Sequence, residues 1–167
     1  MRVMGIDPGS SCTGYGIIEE IKSSLKVVHW GSVRSKSRQP FPQRLKFIYD
    51  ELCMVIRKFD PDEVAIEDMF FATNVKSALK LGQTRGVAVL SAVNEEKPIF
   101  EYSPLEVKQS VVGYGRAEKF QVQDMVTSIL KLKEKPEPLD ASDALAVAIC
   151  HIHSTTVNLR INTARGT

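Results

Sequence analysis

The sequence predicts an α/β fold: a five-stranded mixed sheet, an antiparallel meander followed by parallel strands, flanked by helices. Three observations carry that expectation. Residues 2 to 33 divide into three short apolar segments parted by turn residues, the pattern of a β-meander. A helix period between Pro42 and Phe59 leads straight into a short buried strand, so strand, helix and strand follow as in a right-handed crossover. Beyond Asn74 the pattern is helical except for one further strand at 98–102. At 167 residues the chain has the length of one domain and can bury its own core.

Composition bounds the rest. Hydrophobic residues at 43% and charged residues at 25% are ordinary for a globular protein in water. No apolar run approaches the length of a membrane span, and Asp7 and Pro8 interrupt any signal-peptide core. Cys12, Cys53 and Cys150 are odd in number and form no CxxC pair, which points to a reducing cytoplasm and away from a disulfide framework or structural zinc. A net charge of +2 requires any nucleic-acid footprint to come from local clustering.

Taken in order, Arg2 to Ile6 is a strand buried on both faces, ended by Asp7 and the turn pair Pro8-Gly9. Thr13 to Ile18 is the second strand, with a turn over Glu19 to Ser24, and Leu25 to Val33 is the third. Arg34 to Pro40 is a basic loop, able to touch a phosphate backbone or simply to be solvated. Pro40 and Pro42 open a helix whose Leu45, Ile48, Leu52, Val55, Ile56 and Phe59 share one face, and Asp60-Pro61 stops it. Glu63 to Glu67 is the next strand. A helix from Asn74 to Asn94 collects Val75, Ala78, Leu79, Gly82, Gly86, Val89, Leu90 and Val93 on one side, with Lys76 and Lys80 on the other. Gly82 and Gly86 allow close approach of a second backbone, either inside the fold or in a homodimer. After Pro98 to Tyr102 come helices from Ser103 to Val112, from Ala117 to Leu132, and from Asp140 to His153, then a frayed tail.

Carboxylates fall at element ends. Asp7 alone is explained as a turn opener before Pro-Gly. A right-handed crossover, however, sets the Glu67 strand parallel to the first, bringing both acids to one end of the sheet. Asp140 and Asp143, three apart, share a helix face; N-capping explains that pair as readily as metal binding does. Four acids converging without histidine or cysteine suit Mg²⁺ or Mn²⁺. Two such ions about 4 Å apart are a standard apparatus for phosphodiester hydrolysis. The element order matches the ribonuclease-H-like topology, which on its own is fold analogy.

Several motifs together make a closer likeness. Gly5-Ile6-Asp7-Pro8-Gly9-Ser10 with Thr13-Gly14-Tyr15-Gly16, Ala65-Ile66-Glu67 with Phe70, and Ser77 to Gly86 (SALKLGQTRG) are followed in order by Glu101-Tyr102 and Val107-Lys108-Gln109. Val112 to Gly115, Ala117-Glu118-Lys119 and Asp140 to Ala146 (DASDALA) complete the series. Over nearly the whole chain this resembles the RuvC family of bacterial Holliday-junction resolvases. The resemblance implies one ribonuclease-H-like nuclease domain over residues 1–154 and a flexible tail over 155–167. It implies a homodimer, a two-metal Mg²⁺ site in which Mn²⁺ substitutes, and paired cuts in a four-way DNA junction during recombination and repair. Asp7, Glu67, Asp140 and Asp143 match the metal ligands and catalytic acids; Lys119 and Lys108 match basic positions near the scissile phosphate. Phe70 matches an aromatic that stacks on DNA, where stacking is worth roughly 1–3 kcal/mol per base; as single residues, Phe70 also reads as core filler and the two lysines read first as solvated. Lys76, Lys80, Arg85 and Arg116 are further expected DNA contacts. A branch-migration motor is the partner the resemblance implies.

The expected reaction is in-line hydrolysis leaving 5′-phosphate and 3′-hydroxyl ends, with Asp7 bridging two metals. Two other readings compete. One keeps the fold but acts on RNA or an RNA–DNA hybrid; the other is a non-catalytic junction binder whose acids only cap helices. Asp68 is expected to face solvent, and His29, His151 and His153 show no partner at ligand spacing.

Overall fold

The computed structural model describes residues 1–68 and 74–165, with side chains through residue 156. Its elements are β1 (Arg2–Asp7), β2 (Cys12–Ile21), β3 (Ser24–Arg34), α1 (Phe41–Phe59), β4 (Glu63–Glu67), α2 (Val75–Asn94), β5 (Ile99–Tyr102), α3 (Pro104–Val112), α4 (Lys119–Ile129) and α5 (Leu139–Arg165). The sheet order is β3-β2-β1-β4-β5. β1, β2 and β3 form the antiparallel meander, and β4 and β5 add in parallel beside β1. This is the expected mixed sheet.

Side-chain alternation divides the core into two layers. Met4 and Ile6 of β1 and Val64 and Ile66 of β4 face α1 and α2, packing on Ile48, Leu52, Ile56, Ala88 and Ala92. Val3 and Ala65 face the other way, onto Leu145, Ala148, Ile149 and Ile152 of α5 and onto α3 and α4. The parity of Val3 and Ala65 is also that of Asp7 and Glu67, so both acids point to the α5 side.

Glycine sets how closely α5 lies on the sheet. A Cβ on Gly5 would stand 2.0 Å from the Ala144 carbonyl oxygen, and one on Gly14 1.9 Å from that of Asp140. The helix backbone therefore rests directly on β1 and β2, a contact no larger residue permits.

Several boundaries differ from expectation. β2 runs on to Ile21 and leaves only Lys22 and Ser23, both at positive φ, for the turn. α4 begins at Lys119 rather than Ala117 because Glu118 and Gln121 form a capping box there, and it ends at Ile129. α5 starts at Leu139 and continues to Arg165, taking in most of the stretch expected as frayed tail. On α2 the expected apolar side is the open side: Val75, Leu79, Leu90 and Val93 are exposed, while Thr84, Ala88, Ser91 and Ala92 are buried. Among the described residues no helix is long and apolar enough to cross a membrane. All three cysteines are free thiols.

Candidate active site

β1 and β4 pair in parallel with Ile6 opposite Ile66, so Asp7 and Glu67 follow side by side at the carboxyl ends of the two central strands. α5 crosses the same end and adds Asp143. These three acids line a cavity of about 200 Å³ with Pro104, Val107, Lys108, Lys119, Val122 and Ala146. That is smaller than a site that engulfs an organic ligand, and suits a phosphate group presented from outside.

The electrostatics are those of crowded anions. Burial first, then the charges of Glu67 and Asp143, push the Asp7 carboxyl from 3.8 up to about 8. Burial likewise raises Glu67, partly offset by its hydrogen bond with Asp7. A proton shared between the two is the expected state of like charges that cannot both ionise. The Lys119 ammonium donates to Asp143 Oδ2 at 2.8 Å. Burial works against that ammonium, but the hydrogen bond and charge of Asp143, with Asp7 and Asp140 behind it, hold its pKa above the ordinary lysine value.

Asp140 lies one helical turn before Asp143, its charge still felt by Lys119. It does not line the cavity; it lies beside the Cys12 thiol, whose pKa is raised by burial and then by its hydrogen bond to Asp140. Because α5 begins at Leu139, Asp140 occupies the first turn rather than the N-cap, which removes the capping box as an explanation of the pair.

Among the described residues, no three His, Cys, Asp or Glu side chains are already gathered tightly enough to ligate one ion. The donor set nevertheless fits a hard divalent cation: carboxylate oxygens only, with Lys119 standing in as the positive charge beside Asp143.

The other expected contacts scatter. Lys108 lines the cavity. Lys76 and Arg116 are exposed, Lys76 at the start of α2 and Arg116 in the α3–α4 connection. Arg85 turns to Asp68 at 3.3 Å and Glu101 at 2.5 Å, so Asp68 is ion-paired rather than simply solvent-facing. Phe70 and Phe71 lie outside the described residues. His151, buried on α5, meets the Tyr102 hydroxyl at 2.8 Å and Glu63 at 2.5 Å; His153 meets Ser110 at 3.2 Å, and His29 stacks on Phe59. These partners come from distant segments and leave no local spacing to read. The glycines under α5 did leave one, since Gly14 and Gly16 share a strand face.

The family model described as crossover junction endodeoxyribonuclease RuvC matches residues 3–151. A protein of that name from Alkaliphilus oremlandii is 55% identical over 154 residues, covering 92% of this chain and 94% of the relative. One from Clostridioides difficile is 46% identical over 166 residues, covering 99% and 98%. Thermus thermophilus RuvC, solved in complex with a Holliday junction substrate, superposes with a TM-score of 0.88 at 33% identity, covering 95% of this chain and 96% of that one.

Proposed function

The chain belongs to the RuvC family of crossover junction endodeoxyribonucleases, and from that premise we infer that it is a nuclease resolving four-way DNA junctions by hydrolysis at the Asp7–Glu67–Asp143 cavity. The observation that carries the site is the meeting of Asp7, Glu67 and Asp143 in one cavity at the carboxyl ends of β1 and β4, where burial first and then the neighbouring carboxylates raise Asp7.

Asp7, Glu67 and Asp143 are the residues that would hold divalent cations, with Asp140 at the outer margin. We take these to be two Mg²⁺ per site, with Mn²⁺ able to replace them. When bound, such ions supply Lewis acidity to the phosphodiester and lower the pKa of water. The chain does the rest. Asp7 and Glu67 would hold such ions as carboxylates, without the proton that burial and mutual repulsion favour in the metal-free protein. Lys119, released from Asp143, and Lys108 across the cavity are placed to meet the charge that develops on the phosphate. Water adds at phosphorus as the bond to O3′ breaks, leaving a 5′-phosphate and a 3′-hydroxyl. The 1–154 region acts as one nuclease domain in this reading.

Paired cutting needs two sites. The open face of α2 supports a homodimer: Val75, Leu79, Leu90 and Val93 are exposed, and a Cβ on Gly86 would meet nothing within 4 Å. A two-fold pair suits a junction of near two-fold symmetry. A branch-migration motor in the cytoplasm is the setting in which such a dimer would work.

Cleavage of a synthetic four-way junction, a linear duplex and an RNA–DNA hybrid at equal protein concentration tests the substrate. We expect cutting of the junction alone; cleavage of the hybrid at a matching rate would replace this reading with a ribonuclease.

A further inference from the structure

We propose that Phe41, Arg44 and Lys80 form a second phosphate-binding site, on the α1–α2 side of the sheet, that grips the DNA backbone as it leaves the acid cavity. It rests on the reading that the substrate is DNA.

The Arg44 guanidinium is fixed in place. Its Nε donates to Ser35 Oγ at 2.9 Å, and its Nη2 donates to the Ser10 carbonyl and, at 3.2 Å, to Ser11 Oγ. Its Cζ lies 5.7 Å from the centre of the Phe41 ring, and Lys80 Nζ lies 5.6 Å from the same centre. One ring thus gathers two cations. Among the described residues neither has an acid partner, although Lys46 and Arg57 on α1 and Arg85 on α2 each do. The segments that carry the cluster add no negative charge of their own. No acid occurs from Arg34 to Tyr49, nor from Asn74 to Asn94, and Arg34, Lys36 and Arg38 on the approach to α1 are exposed. α1 itself begins without a capping side chain or an acid in its first turn. Like charges held together in this way favour an anion between or beside them.

The position suits a strand entering the cavity. Ser10 and Ser11, which Arg44 holds, lie in the turn directly after Asp7, so the cluster shares the acids' end of the sheet. Lys108 and Lys119 come from the opposite layer. A backbone crossing the ends of β1 and β4 would meet cations on both sides, one pair at the scissile phosphate and one beyond it.

The test measures binding of a synthetic four-way junction by anisotropy across a salt series, using the full chain with Asp7→Asn to prevent cutting. Adding Lys80→Gln should weaken binding about five-fold at 0.1 M salt and flatten the plot of log affinity against log salt by about 0.9, the value of one lost phosphate contact. Lys46→Gln, removing a cation already paired with Asp50, should change neither. Unchanged affinity and slope with Lys80→Gln overturn the site, as does a loss that tracks dissociation of the dimer by light scattering. Absence of junction binding by the Asp7→Asn protein itself would instead overturn the reading of the substrate.

Discussion

Replacing Asp7 by asparagine should make the metal-free protein more stable while abolishing cleavage. A carboxyl raised from 3.8 to about 8 resists ionisation by at most about 6 kcal/mol, at 1.36 kcal/mol for each pH unit. Between those two values the folded acid keeps a proton that the unfolded chain has lost. The native state then binds more protons, so stability falls as pH rises through this window. Asparagine does not titrate, and the variant escapes that fall. From pH 5 to pH 8 the difference accumulates to at most about 4 kcal/mol; water entering the cavity and Lys119 turning from Asp143 toward Asp7 bring the expected gain to about 2 kcal/mol. Urea unfolding of both proteins in chelator at the two pH values measures it. Millimolar Mg²⁺ at pH 8 should remove most of the gap, because the ion stabilises only the wild-type site. A variant less stable than wild type at pH 8, or a difference independent of pH, would refute the reasoning.

Two further outcomes follow from the packing. Gly14→Ala forces a methyl against the Asp140 carbonyl, 1.9 Å from the Cβ position; with backbone on both sides the cost should reach about 3 kcal/mol in urea unfolding, and cleavage should fall as α5 and Asp143 lift from Asp7. Leu79→Asp, at a position 65% exposed on α2, should leave monomer stability within about 0.5 kcal/mol and convert the dimer to monomer in sedimentation. Paired cuts should give way to single nicks.

Much of this was legible in the residues because it depends on local pattern. Short strands ending in Asp7 and Glu67, joined by a strongly periodic helix, suffice to place two acids side by side under the crossover rule. That Asp143 lines the cavity while Asp140 meets Cys12 was not legible: residues three apart share a helix face, but which of them meets the cavity depends on where α5 crosses the sheet. That crossing is set by Gly5 and Gly14, whose meaning lies in the helix packed upon them rather than in their own strands. The α2 helix shows the complementary limit. Its apolar stripe is plain in the sequence, but burial fell to Thr84, Ala88, Ser91 and Ala92 because small residues allow α1 to pack closely there. The partners of His151 come from β4 and β5, 88 and 49 residues away along the chain.

The most direct test of the central claim is a magnesium titration of four-way junction cleavage, with the ends mapped on all four strands. Metal-dependent hydrolysis by a two-fold pair gives no cutting in chelator and, as Mg²⁺ rises, paired nicks on two strands of like polarity bearing 5′-phosphate ends. Cutting that persists in chelator, or that falls on all four strands alike, would contradict it.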